Sequence, residues 1–149
     1  MNYFITVDRD KMPLFPNFVK TLIYPQFQQK GPYEYDLRYT HKWLHPSQIR
    51  GCHPKGHELY AYLRTFDLLP YCFNLQDGLS ILHKGPGVFN EVFGNDISVF
   101  LWASVGADKK GRFHVPYVYH SYRKQFYIGW NLLELNWDPK DLALMWIKK

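Results

Sequence analysis

Cysteine is scarce in this chain, and long apolar runs are missing. Cys52 and Cys72 are the only cysteines among 149 residues, too few for the disulfide framework of a small secreted domain. The N-terminal residues lack the basic and apolar regions of a secretory signal. The longest apolar stretch, residues 97–105, is far shorter than the roughly 20 residues that span a bilayer. We therefore expect a cytoplasmic protein with no membrane segment and with both thiols reduced.

Familiar catalytic and cofactor motifs are missing as well. The sequence contains no GxGxxG, GxxxxGK[ST], HExxH, GxSxG or paired CxxC, which disfavours nucleotide-driven ATPases and zinc proteases. No motif calls for a cofactor. Asp8 and Asp10 are the only closely spaced acidic pair suited to Mg²⁺, and the adjacent Arg9 makes a charged turn the simpler interpretation. Without repeats or a flexible linker, residues 1–149 are predicted to form a single globular domain.

Aromatic side chains and positive charge are what the sequence has in abundance. Phe, Tyr and Trp make up 19% of the residues, and the net charge is +5. Large flat side chains fill cores or stack on bases, and a positive field attracts phosphate. The composition therefore favours nucleic acid or a phosphorylated ligand as the partner.

Apolar spacing predicts strands and helices in the first two thirds of the chain. Residues 2–7 and 32–40 alternate as strands do, and residues 16–23 have the spacing of a short helix. Asn74 is suited to cap a helix that runs through His83, and residues 87–94 add one turn. Residues 57–69 predict an amphipathic helix whose apolar stripe is Leu59, Tyr62, Leu63, Phe66 and Leu69.

The last third of the chain has the composition of a sheet. Residues 97–105, 113–122, 126–137 and 142–148 are rich in β-branched and aromatic residues. The predicted fold class is α+β: a C-terminal antiparallel sheet of about four strands, with N-terminal strands added and helices from the N-terminal and middle regions packed against it. Pro116 predicts an edge position or a bulge in the second of these strands.

Residues 37–57 form a basic segment that holds four of the seven histidines and no Asp or Glu. One interpretation is a phosphate-binding loop, in which cations neutralise charge and the amides of Gly51 and Gly56 approach oxygen. The residues assigned to ligand binding are Arg38, His41, Lys42, Trp43, Arg50, His53, Lys55 and His57.

Two other interpretations of the basic segment stay open. His41 and His45, four residues apart, and Cys52 near His53 and His57 are of the types that bind zinc, although the neighbouring cations oppose a dication. A solvated surface loop is the commonest state of such a segment. No metal site is assigned.

A second group of residues is of the kind that cleaves RNA. His114 and His120 are six residues apart in one predicted strand, so both project from the same face, and Lys124 follows. Two histidines beside a cation suit general acid–base cleavage through the 2′-hydroxyl, without a metal. An ordinary structural pair of strand histidines is the alternative.

Three hypotheses of function follow from these features. The first is a small basic protein that binds nucleic acid or a phosphorylated ligand, with metal-independent ribonuclease activity as an extension. The second is a non-enzymatic interaction module, an inhibitor or adaptor, whose exposed aromatic residues contact a protein partner. The third is a histidine-rich, metal-dependent hydrolase.

Overall fold

The computed structural model describes residues 1–121, 123 and 125–147. Within these residues the chain has four α-helices and nine strands in an α+β fold. The helices are α1 (Pro46–Ile49), α2 (Gly56–Thr65), α3 (Leu75–Lys84) and α4 (Pro86–Phe93). The strands are β1 (Phe4–Thr6), β2 (Thr21–Leu22), β3 (Glu34–Asp36), β4 (His41–Trp43), β5 (Ile97–Phe100), β6 (Gly106–Ala107), β7 (Phe113–His120), β8 (Phe126–Leu132) and β9 (Asp141–Met145).

The main sheet is built around the long strand β7. Its order is β2-β6-β7-β5-β9-β4, with β8 paired to the other side of β7. The predicted antiparallel pairing holds for β5 with β7 and for β7 with β8. Strand β9 instead lies parallel to β5, with Ser98 opposite Asp141. The sheet is therefore mixed, because the chain crosses back to β5 after the β7–β8 hairpin.

The N-terminal strands divide between two sheets. Strands β2 and β4 extend the main sheet at β6 and β9. Strands β1 and β3 pair with each other in a separate two-stranded sheet. The two predicted N-terminal strands, β1 and β3, therefore lie outside the main sheet, whereas β2 and β4, which were not predicted as strands, extend it.

Helices cover both faces of the main sheet. Alternate residues of β7 belong to different core clusters: Val115 packs with α2 and with Trp102 and Trp137, whereas Val118 packs with α3 and α4. Because neighbouring residues of a strand point to opposite faces, these two clusters lie on opposite sides of the sheet. The sheet is thus the middle of three layers.

The third helix begins where its cap predicts. The Asn74 side chain accepts a hydrogen bond from the Asp77 amide, and the Asp77 carboxylate accepts one from the Asn74 amide. This reciprocal capping satisfies two of the free donors at the helix start. Gly85 ends α3, and Pro86 then begins α4, which is two turns long rather than the single turn predicted for residues 87–94.

Residues 16–23 do not form the predicted helix. They run as an irregular segment that ends in β2, and Lys20 and Ile23 donate main-chain hydrogen bonds to Ala107 and Val105. An eight-residue segment is too short to form a stable helix without strong packing, and pairing with β6 satisfies its main chain instead.

The apolar stripe of α2 is rotated from the predicted one. Leu59 and Leu63 are buried as expected, but Phe66 is 59% exposed and Tyr60 is buried in its place. The helix ends at Thr65, before the predicted end at residue 69, and Phe66 is its non-helical C-cap residue, which lies outside the stripe formed by Leu59, Tyr60 and Leu63. Gly56 completes the buried stripe, since a side chain there would overlap the ring of Trp137.

Pro116 lies in the middle of the sheet rather than at an edge or a bulge. The register of β7 against β8 continues through it without a break. Its carbonyl accepts a hydrogen bond from the amide of Leu101, just after β5 ends. The Leu101 carbonyl is used by the amide of Ser104 in the following turn, so the missing proline N–H leaves no acceptor unpaired.

Cys52 is exposed and Cys72 is buried, both as free thiols, and burial raises the pKa of the Cys72 thiol. None of the helices in residues 1–121, 123 and 125–147 has the length and apolar character needed to cross a bilayer.

Candidate functional site

The connection between β6 and β7 is a tight turn organised by Asp108. The Asp108 amide donates to the Arg112 carbonyl, and the Gly111 amide donates to the Asp108 carbonyl, both at 2.9 Å. The Asp108 carboxylate accepts from the amides of Lys110 and Arg112 at 2.8 and 3.0 Å. Gly111 has a φ of +78°, a conformation that glycine adopts without strain. The turn therefore leaves the side chains of Lys109 and Lys110 exposed.

A distant part of the chain lies beside this turn. Thr21 pairs with Ala107 of β6, and the Lys20 amide donates to the Ala107 carbonyl at 2.8 Å. This pairing brings Phe18 and Lys20 next to the start of β7. The ring of Phe18 lies 4.8 Å from that of His114 and packs edge-on against Trp130 at 5.6 Å.

His114 is fixed in place by Asp108. Its Nε2 atom lies 2.8 Å from Oδ2 of Asp108, and the two side chains are only 13% and 8% exposed. The hydrogen bond to His114 holds the pKa of Asp108 well below its usual range, and the N–H groups of Arg112 and Lys110 act in the same direction. Asp108 is therefore an ionised carboxylate whose oxygens are already occupied.

Together these residues line an open cavity of about 260 Å³, which we call the hairpin pocket. It contains four permanent cations, one carboxylate and an aromatic ring. Nε of Arg112 lies 2.9 Å from Asp108, whereas no ion pair of Lys20, Lys109 or Lys110 occurs within the described residues. The lining residues are Phe18, Lys20, Asp108, Lys109, Lys110, Arg112 and His114.

The basic segment of residues 37–57 does not form one phosphate loop. It is divided among a short turn, strand β4, helix α1 and the start of α2. The amides assigned to phosphate are used within the protein: Gly51 donates to the Gln48 carbonyl and Gly56 to the Leu135 carbonyl. The main chain of this segment therefore does not offer an anion cradle at these glycines.

Several of the cations in the segment have partners of their own. Arg38 forms a two-pronged ion pair with Asp36, its Nη2 atom lying 2.6 Å from Oδ2, and it stacks on Tyr3. Nζ of Lys42 donates to the Val92 carbonyl at the end of α4. Arg50 and Lys55 are exposed, Lys55 at a bridge to Asn136. The segment thus presents its charges at separate places.

The aromatic and histidine residues of the basic segment have structural roles. Trp43 packs on Tyr62 at 5.7 Å, and the Nδ1 atom of His45 accepts from the Ser47 amide as the cap of α1. The carbonyl of His53 accepts from Asn136, and the ring of His57 lies 3.5 Å from Glu134. His41 belongs to β4 and is half-buried. Among the described residues no three His, Cys, Asp or Glu side chains come together as metal ligands.

The two histidines assigned to RNA cleavage lie at opposite ends of β7. They are six residues apart, and a strand rises about 3.4 Å per residue, so their Cα atoms are about 20 Å apart. An acid and a base that act on one phosphate must both reach it within hydrogen-bond distance. His114 and His120 therefore cannot serve the same phosphodiester. Lys124 lies outside the described residues.

His120 has surroundings unlike those of His114. It is 8% exposed, packs edge-on against Phe126 at 5.7 Å, and lies beside Pro86, Gly87 and Asn90 at the start of α4. Its Nδ1 atom is buried and has no hydrogen-bond partner in the described part of the chain. These contacts make it part of the packing between β7 and α4.

Sequence reasoning identified His114 but missed the other residues of the hairpin pocket. The residues between the predicted strands 97–105 and 113–122 were assigned no part in binding, although Lys109, Lys110 and Arg112 place three cations within four positions. Phe18 and Lys20 gave no such signal. Their place depends on the pairing of β2 with β6, which a local pattern does not reveal.

Comparisons with models of protein families, with curated proteins and with solved structures find no match to this chain. The functional conclusion therefore depends on the geometry of the hairpin pocket.

Proposed function

We propose that the protein binds single-stranded nucleic acid at the hairpin pocket. The observation that carries this proposal is the meeting of four cations with an exposed aromatic ring in one cavity: Lys20, Lys109, Lys110 and Arg112 line the same cavity as Phe18. Phosphate-binding cations beside a stacking ring are the two parts of sites that bind single strands without strong sequence preference.

The positive charge concentrated in the pocket favours phosphate groups as its ligand. Among the described residues Asp108 is the only carboxylate that lines it. The Arg112 and His114 side chains contact its Oδ2 atom, and the amides of Lys110 and Arg112 donate to its Oδ1 atom. Three lysines remain to attract anions, on a protein whose net charge is +5. Lysine binds phosphate as a mobile point charge, which suits a flexible backbone with irregular spacing.

Phe18 supplies the surface for a base. Its ring is 38% exposed, and its other contacts hold it between His114 and Trp130. Stacking of one base on such a ring contributes about 1–3 kcal/mol. Single strands present unstacked bases to a ring of this kind, whereas the bases of a duplex are covered. His114 is a positioning residue here, because it fixes the ring of Phe18 rather than reaching for the ligand.

The test compares two triple variants that remove the same charge. The first, Lys20→Gln with Lys109→Gln and Lys110→Gln, empties the hairpin pocket of its lysines. The second, Lys42→Gln with Arg50→Gln and Lys55→Gln, removes three cations of the basic segment. Affinity for a labelled oligothymidylate of about 15 nucleotides is measured by fluorescence anisotropy over a range of salt concentrations.

We expect the first triple variant to reduce the slope of log K against log salt by about 2, since each phosphate contact on a single strand contributes about 0.7. The second should leave the slope nearly unchanged. Phe18→Ala should weaken binding about 5- to 150-fold with the slope preserved, because stacking releases no counterion. Equal effects of the two triple variants, or no binding by the wild type at low salt, would contradict the proposal.

One observation supports the interaction module as the second candidate. Phe66 is 59% exposed, and its ring lies 4.5 Å from that of Tyr62, whose ring in turn lies 5.7 Å from that of Trp43. Exposed clusters of aromatic residues are typical of binding hot spots. If the oligonucleotide does not bind, we propose that a protein partner binds at this surface.

A further inference from the structure

Strand β8 lies at an open edge of the main sheet. Its residues pair with β7 on one side, and no other strand among the described residues pairs with it. The amide of Leu133 donates to Phe113 of β7, so the odd-numbered residues of β8 direct their main-chain groups toward β7. The even-numbered residues direct theirs outward.

The outward main-chain groups have no partner in the described part of the chain. The N–H and C=O groups of Phe126, Ile128 and Trp130 all point to this edge, and no hydrogen bond within residues 1–121, 123 and 125–147 uses them. Unpaired groups in a row are a template for another strand.

The edge also lacks the usual protections against pairing. Proteins protect edges with short strands, with lysine and with proline. At the other end of the sheet, β4 has three residues and carries Lys42, and β2 has only two residues. Strand β8 has seven residues, Phe126–Leu132, with no charge and no proline.

We infer that β8 pairs antiparallel with β8 of a second copy of this chain, across a two-fold axis at Ile128. In this register Ile128 faces Ile128 of the second copy, and Phe126 faces Trp130. Each of these pairs exchanges two main-chain hydrogen bonds, so every outward group of the three residues is used.

The side chains suit this register better than they suit an unrelated peptide. Phe126 and Trp130 meet as an aromatic pair on one face of the joined sheet. On the other face Tyr127, which is 40% exposed, lies opposite Gly129 of the second copy, whose missing side chain leaves its place to the ring of Tyr117. Two proteins of charge +5 repel each other, and a contact without charged side chains is where that repulsion is least.

The contact between the two β8 strands is small, so we expect a weak dimer. Stable interfaces bury about 1,200–2,000 Å² in total, and a pair of seven-residue strands buries less. The dimer should therefore form with a dissociation constant in the range of about 10 µM to 1 mM.

Pairing of β8 would set two hairpin pockets on the same side of one continuous sheet. A two-fold axis through an antiparallel pair is perpendicular to the sheet, so both copies present the same face. His114 lies opposite Leu132, four residues beyond Ile128, which separates the two pockets by about 27 Å along the strands. The inference does not rest on nucleic-acid binding.

The test is analytical ultracentrifugation of the full chain at concentrations from about 5 µM to 1 mM. The wild type should approach twice its mass of 17.9 kDa. Ile128→Pro removes the central outward N–H without removing a hydrogen bond to β7 and should weaken the dimer at least about tenfold. Tyr127→Lys places two like charges about 7–8 Å apart across the axis and should do the same.

The matched control is Tyr33→Lys, which adds the same charge at a residue 61% exposed in the separate N-terminal part, and it should dimerise as the wild type does. Circular dichroism checks each fold; if Ile128→Pro unfolds, Tyr127→Lys decides. High salt should preserve the dimer while weakening oligonucleotide binding, so the two proposals fail separately. A wild type of 17.9 kDa at all concentrations, or undiminished dimer in Tyr127→Lys, would overturn the inference.

Discussion

At the scale of single residues, the burial of charged side chains is the feature that the local sequence pattern does not reveal. Arg9 is 4% exposed and lies 2.7 Å from Asp77, which is fully buried. The Tyr35 hydroxyl also donates to Asp77 at 2.8 Å, and the Arg9 guanidinium lies over the ring of Trp146. Arg9 had seemed part of a charged turn between Asp8 and Asp10. It is instead the counterion that lets the cap of α3 be buried.

Phe66 and Leu63 differ in burial although both belong to the predicted stripe of α2. We expect Leu63→Ala to lower the free energy of unfolding by about 2–5 kcal/mol, because Leu63 is fully buried and truncation leaves a cavity. Phe66→Ala should cost only about 1 kcal/mol, chiefly through its lost ring contact with Tyr62. Urea unfolding of both variants checks this. Comparable losses in the two would mean that Phe66 is a core residue.

At the scale of elements, the sequence predicted those helix ends and strands that are determined by residues close together in the chain. The Asn74 cap and the Gly85-Pro86 stop define α3 within a few residues, and the alternation in residues 2–7 predicts the strand β1. Which strands pair with one another was harder to predict. The parallel pairing of β5 with β9 depends on a crossover of the chain. The helix predicted for residues 16–23 does not form, because this segment pairs with β6, which is distant in the sequence.

Asp141 makes the first residue of β9 sensitive to pH. Burial raises its pKa to about 6, above the value of about 3.9 for an unfolded chain. The folded state therefore binds the proton more tightly, and the stability that this proton contributes is present below about pH 4 and is lost as the pH rises through about 6. Ionised Asp141 is thus a destabilising group at neutral pH.

The comparison with Asp141→Asn isolates this effect, since asparagine keeps an oxygen for the hydrogen bond from the Asp138 amide and does not titrate. Unfolding free energies of both proteins are measured between about pH 4 and 7. The wild type should gain stability relative to the variant as the pH falls through this window. A difference that is independent of pH would show that the carboxyl titrates normally in the fold.

At the scale of the whole molecule, the candidate site joins parts of the chain that no local pattern connects. Phe18 and Lys20 precede Asp108 and His114 by about 90 positions and meet them only because β2, β6 and β7 are neighbours. The basic segment of residues 37–57 was the stronger feature of the sequence, yet folding spreads its cations and uses its glycine amides internally. Charge density along a sequence is not charge density on a surface.

The most direct test of the nucleic-acid site is an NMR titration of ¹⁵N-labelled protein with unlabelled oligothymidylate at low salt. The account predicts that the largest amide shifts fall at Phe18, Lys20, the turn from Lys109 to Arg112, and His114, and that they diminish together as salt is added. Shifts centred on residues 38–57, or no shifts at low salt, would contradict it.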